Sequence, residues 1–168
     1  STVAEKIEGI KRGVLYPYVE NPKVYHCVGD KRSRKPRKRG SGGMGGYRSY
    51  SMPGSLVEGA RVSEPVMKQT QIVSPDSMYV LIEEMDGRGY NVNSWVIYTS
   101  QQQWIDPIAI WHGNTSTLGF ADGHAETKKW YGDGTKEMAE NQTFWYTPQS
   151  AKDFEDFEFM QRGYPHKR

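Results

Sequence analysis

The chain has a single cysteine, Cys27, in 168 residues. Without a second, no internal disulfide can staple the fold, and no zinc cluster is expected. Long apolar runs are also missing. No stretch approaches the ~18 consecutive apolar residues that cross a bilayer. Neither sign of charge dominates. The 22 Lys and Arg against 20 Asp and Glu leave +2, too little for a field that recruits a partner by itself. There is no initiator methionine and no signal-peptide pattern. The opening Ser1-Thr2-Val3-Ala4 reads as a protein entered part-way, with its natural start missing. Gly-x-Ser-x-Gly, P-loop and EF-hand patterns are absent, as are internal repeats.

What is present favours turns and sheets. The chain holds 18 Gly and 9 Pro, which punctuate short elements. Its 11 Tyr and 5 Trp suit strands and half-buried surfaces. A hydrophobic share of 36% is enough for a modest core in one domain over residues 1–168.

Residues 2–12 predict a short helix. Thr2 and Glu5 form a capping box, Val3, Ile7 and Ile10 share a face, and Gly13 ends it. Residues 31–39 carry seven Lys and Arg, which leaves the rest of the chain at −5. Self-repulsion and Pro36 predict an exposed segment, and the glycines from 40 to 46 extend it into a flexible loop over 31–46. Tyr47 to Met52 reads as a strand, stopped by Pro53-Gly54. Met78 to Ile82 is a continuous apolar run, as for a strand buried on both faces, and Glu83-Glu84 reads as its exit into solvent. Trp95 to Tyr98 is a further short strand or helix. Ser150 with Asp153 caps a final helix carrying Phe154, Phe157 and Met160, closed by Gly163.

The strongest local signal lies between. Asp122-Gly123 stands between two alternating runs, the pattern of a β-hairpin over 115–121 and 124–130. A two-residue turn would pair Phe120 with Ala125 and Leu118 with Thr127. Leu118, Phe120, Ala125 and Thr127 would then share the core face. Gly123 supplies the positive φ of the turn.

His112, nine residues and then Asp122-Gly123 resemble the C-terminal H-X9-DG domain of bacterial prepilin-like proteins, the pseudopilins of type II secretion-type machines. Further pieces are similar to that family across residues 13–30, 47–52, 73–84 and 104–130. They include Leu15-Tyr16-Pro17-Tyr18-Val19 and Pro22-Lys23-Val24-Tyr25-His26-Cys27. The resemblance implies an α+β pilin-like globular head. Its antiparallel sheet would carry short flanking helices, and an N-terminal anchor helix is absent from this chain. It implies a non-catalytic structural subunit or tip component of a type II secretion pseudopilus or type IV pilus-like filament. The partners would be other pilin-like subunits, and the only membrane contact would be through the missing helix. The place would be the bacterial cell envelope, at its periplasmic or extracellular face, with inner-membrane anchoring before assembly. His112, Asp122 and Gly123 would be architectural. Family members often carry Tyr-x-Cys-Pro-x-Asp where this chain has Tyr25-His26-Cys27-Val28-Gly29-Asp30. The resemblance therefore implies that Cys27 pairs with a cysteine near the missing helix. Read from its residue type alone, Cys27 is a small buried hydrophobe.

Candidate chemistry is sparse. His112, Asp122, His124 and Glu126 invite a metal or acid–base reading, but an extended 115–121 separates its ends by roughly 23 Å. His112 is then a hydrogen-bonded loop histidine at the open end of the hairpin, and no catalytic residue, cofactor or metal is expected. Glu83 and Glu84 have no partner carboxylate in view. The oxygens of Asp86, Asn91 and Asn93 make calcium a further candidate. Lys31, Arg32, Arg34, Lys35, Arg37, Lys38 and Arg39 are candidate contacts to an anionic polymer. Under this alternative, an envelope or filament-tip binding module captures DNA or acidic polysaccharide.

Overall fold

The computed structural model describes residues 2–35, 45–57, 65–92 and 94–165. It is an α+β fold with a five-stranded sheet, a two-stranded sheet and three α-helices. The strands are β1 (Tyr50–Pro53), β2 (Tyr79–Glu83), β3 (Ser94–Trp95), β4 (Ile97–Tyr98), β5 (Gln103–Trp104), β6 (Thr115–Phe120) and β7 (Ala125–Lys129). The helices are α1 (Val3–Lys11), α2 (Asp133–Asn141) and α3 (Ala151–Gly163). No helix among the described residues is long and apolar enough to cross a membrane.

The main sheet runs β3-β1-β2-β6-β7. β2 is its centre, antiparallel to β1 and β6. The expected all-antiparallel sheet needs one correction: β3 pairs parallel with β1, through Met52 with Ser94 and Pro53 with Trp95. β1 starts at Tyr50, three residues later than expected, and ends on Pro53. A second correction concerns β2. Leu81 is 41% exposed, so the strand is not apolar-packed on both faces. Tyr79 and Ile82 are buried, the register with β6 slips between Tyr79 and Leu81, and the strand twists its sides accordingly.

The core lies on one side of this sheet. Ser116, Leu118 and Phe120 alternate inward along β6, as the hydrophobic period predicts for the last two. They meet Trp130, Met138 and Ala139 near α2, and Phe157 and Met160 of α3. Edge-to-face rings run from Tyr79 to Trp95, from Trp95 to Trp104, and from Trp104 to both Trp130 and Phe157. The Tyr79 hydroxyl donates to the Met160 carbonyl at 2.9 Å, fastening α3 to β2. The capping boxes at Thr2/Glu5 and Ser150/Asp153 are both formed. α1 nevertheless buries no residue.

The signature hairpin forms with a longer turn than a two-residue one. Phe120 N–H donates to His124 O at 2.8 Å, and Gly123 N–H to Phe120 O at 3.0 Å. Only Gly123 among the turn residues has positive φ, at 100°. This is a type I turn closed by a glycine bulge, not a type I′ turn. The extra loop residue slips β7 by one, so Leu118 faces Glu126 and Ser116 faces Lys128. A slip of one turns every side chain over, and Ala125 and Thr127 are exposed instead of buried. β7 is an edge strand, and its charges suit it to that place.

Candidate functional site: a Cys–Glu–His cluster

The basic segment is not wholly exposed. Arg32–Arg34 forms a 3-10 turn in which Arg32 and Ser33 are buried. Arg32 donates to both Asp30 carboxylate oxygens and, at 2.6 Å, to Asn91 Oδ1. Its guanidinium also lies over the Trp111 ring. Local pairing with Asp30 cancels the repulsion that makes the run read as solvated. Lys31, Arg34 and Lys35 are exposed, and 36–44, with Arg37, Lys38 and Arg39, fall outside the described residues. Two of the residues considered for calcium accept hydrogen bonds within the protein. Asp86 accepts from Arg88, and Asn91 Oδ1 accepts from Arg32; Asn93 falls outside the described residues.

Glu83 and Glu84 overturn the expectation of a strand leaving for solvent, since both are fully buried. Glu84 lies at the next position after β2, where its N–H donates to Ser49 O at 3.1 Å. Burial first, then the charge of Asp106, pushes the Glu84 carboxyl well above the usual carboxylate range. Burial likewise raises Asp106 to about 6, against the hydrogen bond it accepts from Val96 N–H. Both folded values lie above the unfolded ones, so between them the folded state holds more protons. Stability must then rise as pH falls from about 6 toward 4. The carboxylates with lowered values (Asp153, Asp122, Asp133 and Glu5) lose their contribution only below ~4.5. Urea unfolding at pH 7 and pH 5 should show a gain of ~1–3 kcal/mol at the lower pH. Glu84→Gln should remove part of that difference by stabilising the protein at pH 7. A flat or falling profile would contradict these protonated acids.

Glu83 sits elsewhere. Its Oε2 accepts from Thr117 N–H at 2.8 Å, and its Oε1 is 3.3 Å from His112 Nε2. The same ring nitrogen is 3.1 Å from Cys27 Sγ. Cys27 is 5% exposed, while the His112 side chain is 38% exposed. The local chain explains the arrangement. Gly113 and Asn114 follow His112 with φ of 69° and 64°, a tight reversal that sets up β6. Thr115 Oγ1 donates to the His112 carbonyl at 2.8 Å and fixes the loop. Cys27 N–H donates to Ser49 Oγ at 3.0 Å, and Gly29 N–H points at Sγ at 3.3 Å. A Cβ on Gly29 would come within 2.9 Å of Trp111 Cβ, so only glycine lets this loop close on the histidine.

The signature residues divide. His112 precedes β6 and Asp122 follows it, at opposite ends of the strand. Asp122 Oδ1 is 2.6 Å from His124 Nδ1 at the exposed turn. His124 and Glu126 share a face, with Nε2 and Oε1 3.4 Å apart. What sequence reasoning missed is that Cys27 and Glu83 meet at His112. A usable signal existed for Glu83. An acid that directly continues the apolar run Met78–Ile82 is placed for burial, and a buried acid needs a partner.

The chemistry of this cluster is limited. In a nucleophile–histidine–acid relay, the nucleophile and the acid use different ring nitrogens. Here both converge on Nε2. Burial also pushes the Cys27 thiol up to about 11, away from the thiolate an attacking cysteine needs. The arrangement ties three distant segments together and offers sulfur, nitrogen and oxygen to one point. No protein-family model, curated protein or solved structure matches the chain.

Proposed function

We propose that this domain is a non-catalytic structural subunit or tip component of a bacterial pilin-like filament, of the pseudopilus or type IV pilus-like kind. One observation carries the reading. The four segments that resemble the prepilin-like family are far apart in sequence, and they touch at one place. Cys27 comes from the first, Ser49 from the second, Glu83 from the third and His112 from the fourth. In this reading the His112 to Gly123 signature is scaffold: its first residue locks the sheet to the 26–30 loop and its last makes the hairpin turn.

The surface supports the same use. Seven large exposed apolar residues fall between positions 3 and 28: Val3, Val14, Leu15, Tyr18, Val19, Val24 and Val28. α1 buries none of its residues within the domain. Such a surface suits packing against neighbouring subunits or an anchoring helix. Shearing cells that make the protein should release it with surface filaments, and loss of the prepilin-processing peptidase should retain it in the inner membrane. Recovery in the cytoplasm under both conditions would refute the proposal.

A second reading rests on the cleft lined by Lys31, Arg32, Lys35 and Trp111. It makes the domain a binding module for DNA or acidic polysaccharide at a filament tip. Retention on such polymers that collapses as salt rises supports it.

A further inference from the structure

We infer that Cys27, Glu83 and His112 form a binding site for a thiophilic divalent cation of the zinc class. The inference does not rest on the filament reading, and it departs from the disulfide that the family resemblance implies for Cys27. Their donor atoms all lie within 4.8 Å of one another, the only such group of three among the described residues. Tetrahedral zinc, with bonds near 2.0–2.3 Å, sets neighbouring donors ~3.3–3.6 Å apart. His112 Nε2 lies 3.3 Å from Glu83 Oε1 and 3.1 Å from Cys27 Sγ. Both His112 pairs are within a few tenths of an ångström of that spacing, and Cys27 Sγ lies within 4.8 Å of the Glu83 oxygen.

Charge points the same way. Glu83 is wholly buried, and Cys27 almost so. A thiolate and a carboxylate there carry two negative charges, which one dication neutralises. The donors are also held from behind. Thr117 N–H fixes the free oxygen of Glu83, and Gly29 N–H fixes the sulfur. Such outer contacts orient ligands in metal sites. The sulfur and imidazole exclude calcium and magnesium, which take oxygen. Three protein ligands leave a fourth position, and the exposed side of His112 opens it to water. Binding transfers the thiol proton of Cys27 to solvent and forms the S–metal bond. A disulfide through Cys27, the pairing that the family resemblance implies, would remove the sulfur and exclude the metal.

The test uses the intact protein, stripped with a chelator and titrated with Zn2+ alone or with Co2+ alone. One equivalent should bind, cobalt should give a thiolate charge-transfer absorption, and Cys27 should become protected from thiol reagents. Cys27→Ala should abolish the absorption. Glu83→Gln, which can still accept from Thr117 N–H, and His112→Asn should each weaken binding at least ~10-fold. Circular dichroism identifies any variant that fails to fold, and the wild-type titration decides without it. No uptake by folded wild type, uptake that ignores these substitutions, or a disulfide at Cys27 in the isolated protein would each overturn the site.

Discussion

Trp104→Ala should leave the domain at the edge of unfolding, with a loss of about 3–5 kcal/mol. Trp104 is fully buried and is the centre of the ring cluster. It meets Trp95, Trp130 and Phe157 edge to face, with centroids 5.5 to 6.0 Å apart. Those rings come from β3, from the segment after β7 and from α3. One deletion therefore loosens the contact between the sheet and the helices at several points. A domain of this size has only ~5–15 kcal/mol in total, so the loss is a large fraction of it. The midpoint of thermal unfolding should fall by ~6–20 °C. Trp145→Ala is the control. That ring is 53% exposed, touches Tyr98 alone among the aromatic rings of the described residues, and should cost under ~1 kcal/mol. Equal effects of the two substitutions would mean the core has been placed wrongly.

Asp153→Ala should cost about as much, by a different route. Asp153 is 1% exposed and accepts from Thr135 N–H, Tyr146 O–H, Gln149 N–H and Ser150 N–H. Burial raises its carboxyl, but these donors outweigh burial and leave it below the ordinary value. Removing the acceptor strands four donors, at ~1–3 kcal/mol for each one that stays buried. Relaxation and water entry bring the total to roughly 3–5 kcal/mol. The loss should also be local. α2 has no side-chain cap of its own, and Asp153 takes the N–H of Thr135 in its first turn. Hydrogen exchange over 133–141 should therefore speed up more than over β2 or β6. Uniform acceleration would show that Asp153 does not act as the cap of α2. Because its folded value is depressed, its contribution is present above ~3.9 and lost as pH falls below it.

That cap explains why α2 was hidden in the sequence. Gly132-Asp133-Gly134 carries no local cap, because the acceptor that makes it a helix start belongs to α3. α1 and α3 were legible because their capping boxes lie within four consecutive residues. The hairpin was legible from Asp122-Gly123, and its inward residues Leu118 and Phe120 followed from the strand period. Its register was not, since a glycine at one positive φ serves a two-residue turn and a bulged three-residue turn alike.

The site was less legible than the fold. His112 could be singled out by its spacing from Asp122-Gly123, but its partners lie 85 and 29 positions away, at Cys27 and Glu83. Nothing periodic connects them. Glu83 and Glu84 were misread for one reason: acids at a strand end usually meet water. Here Thr117 and His112 cover one, and the other lies beside Asp106. Arg32 was misread inside a run of seven cations because its neighbour Asp30, two positions earlier, neutralises it. Short-range rules describe helix ends and turns well. They say little about which charges the sheet will bring together.

The central proposal is that this domain is a non-catalytic subunit of a pilin-like filament. Gold-labelled antibody against this domain, imaged by electron microscopy on cells that make the protein, tests it most directly. Label should lie along surface filaments or at their tips, unchanged in kind by a His112→Asn variant that still folds. Label confined to the cytoplasm, or spread over the envelope with no filament beneath it, would contradict the account.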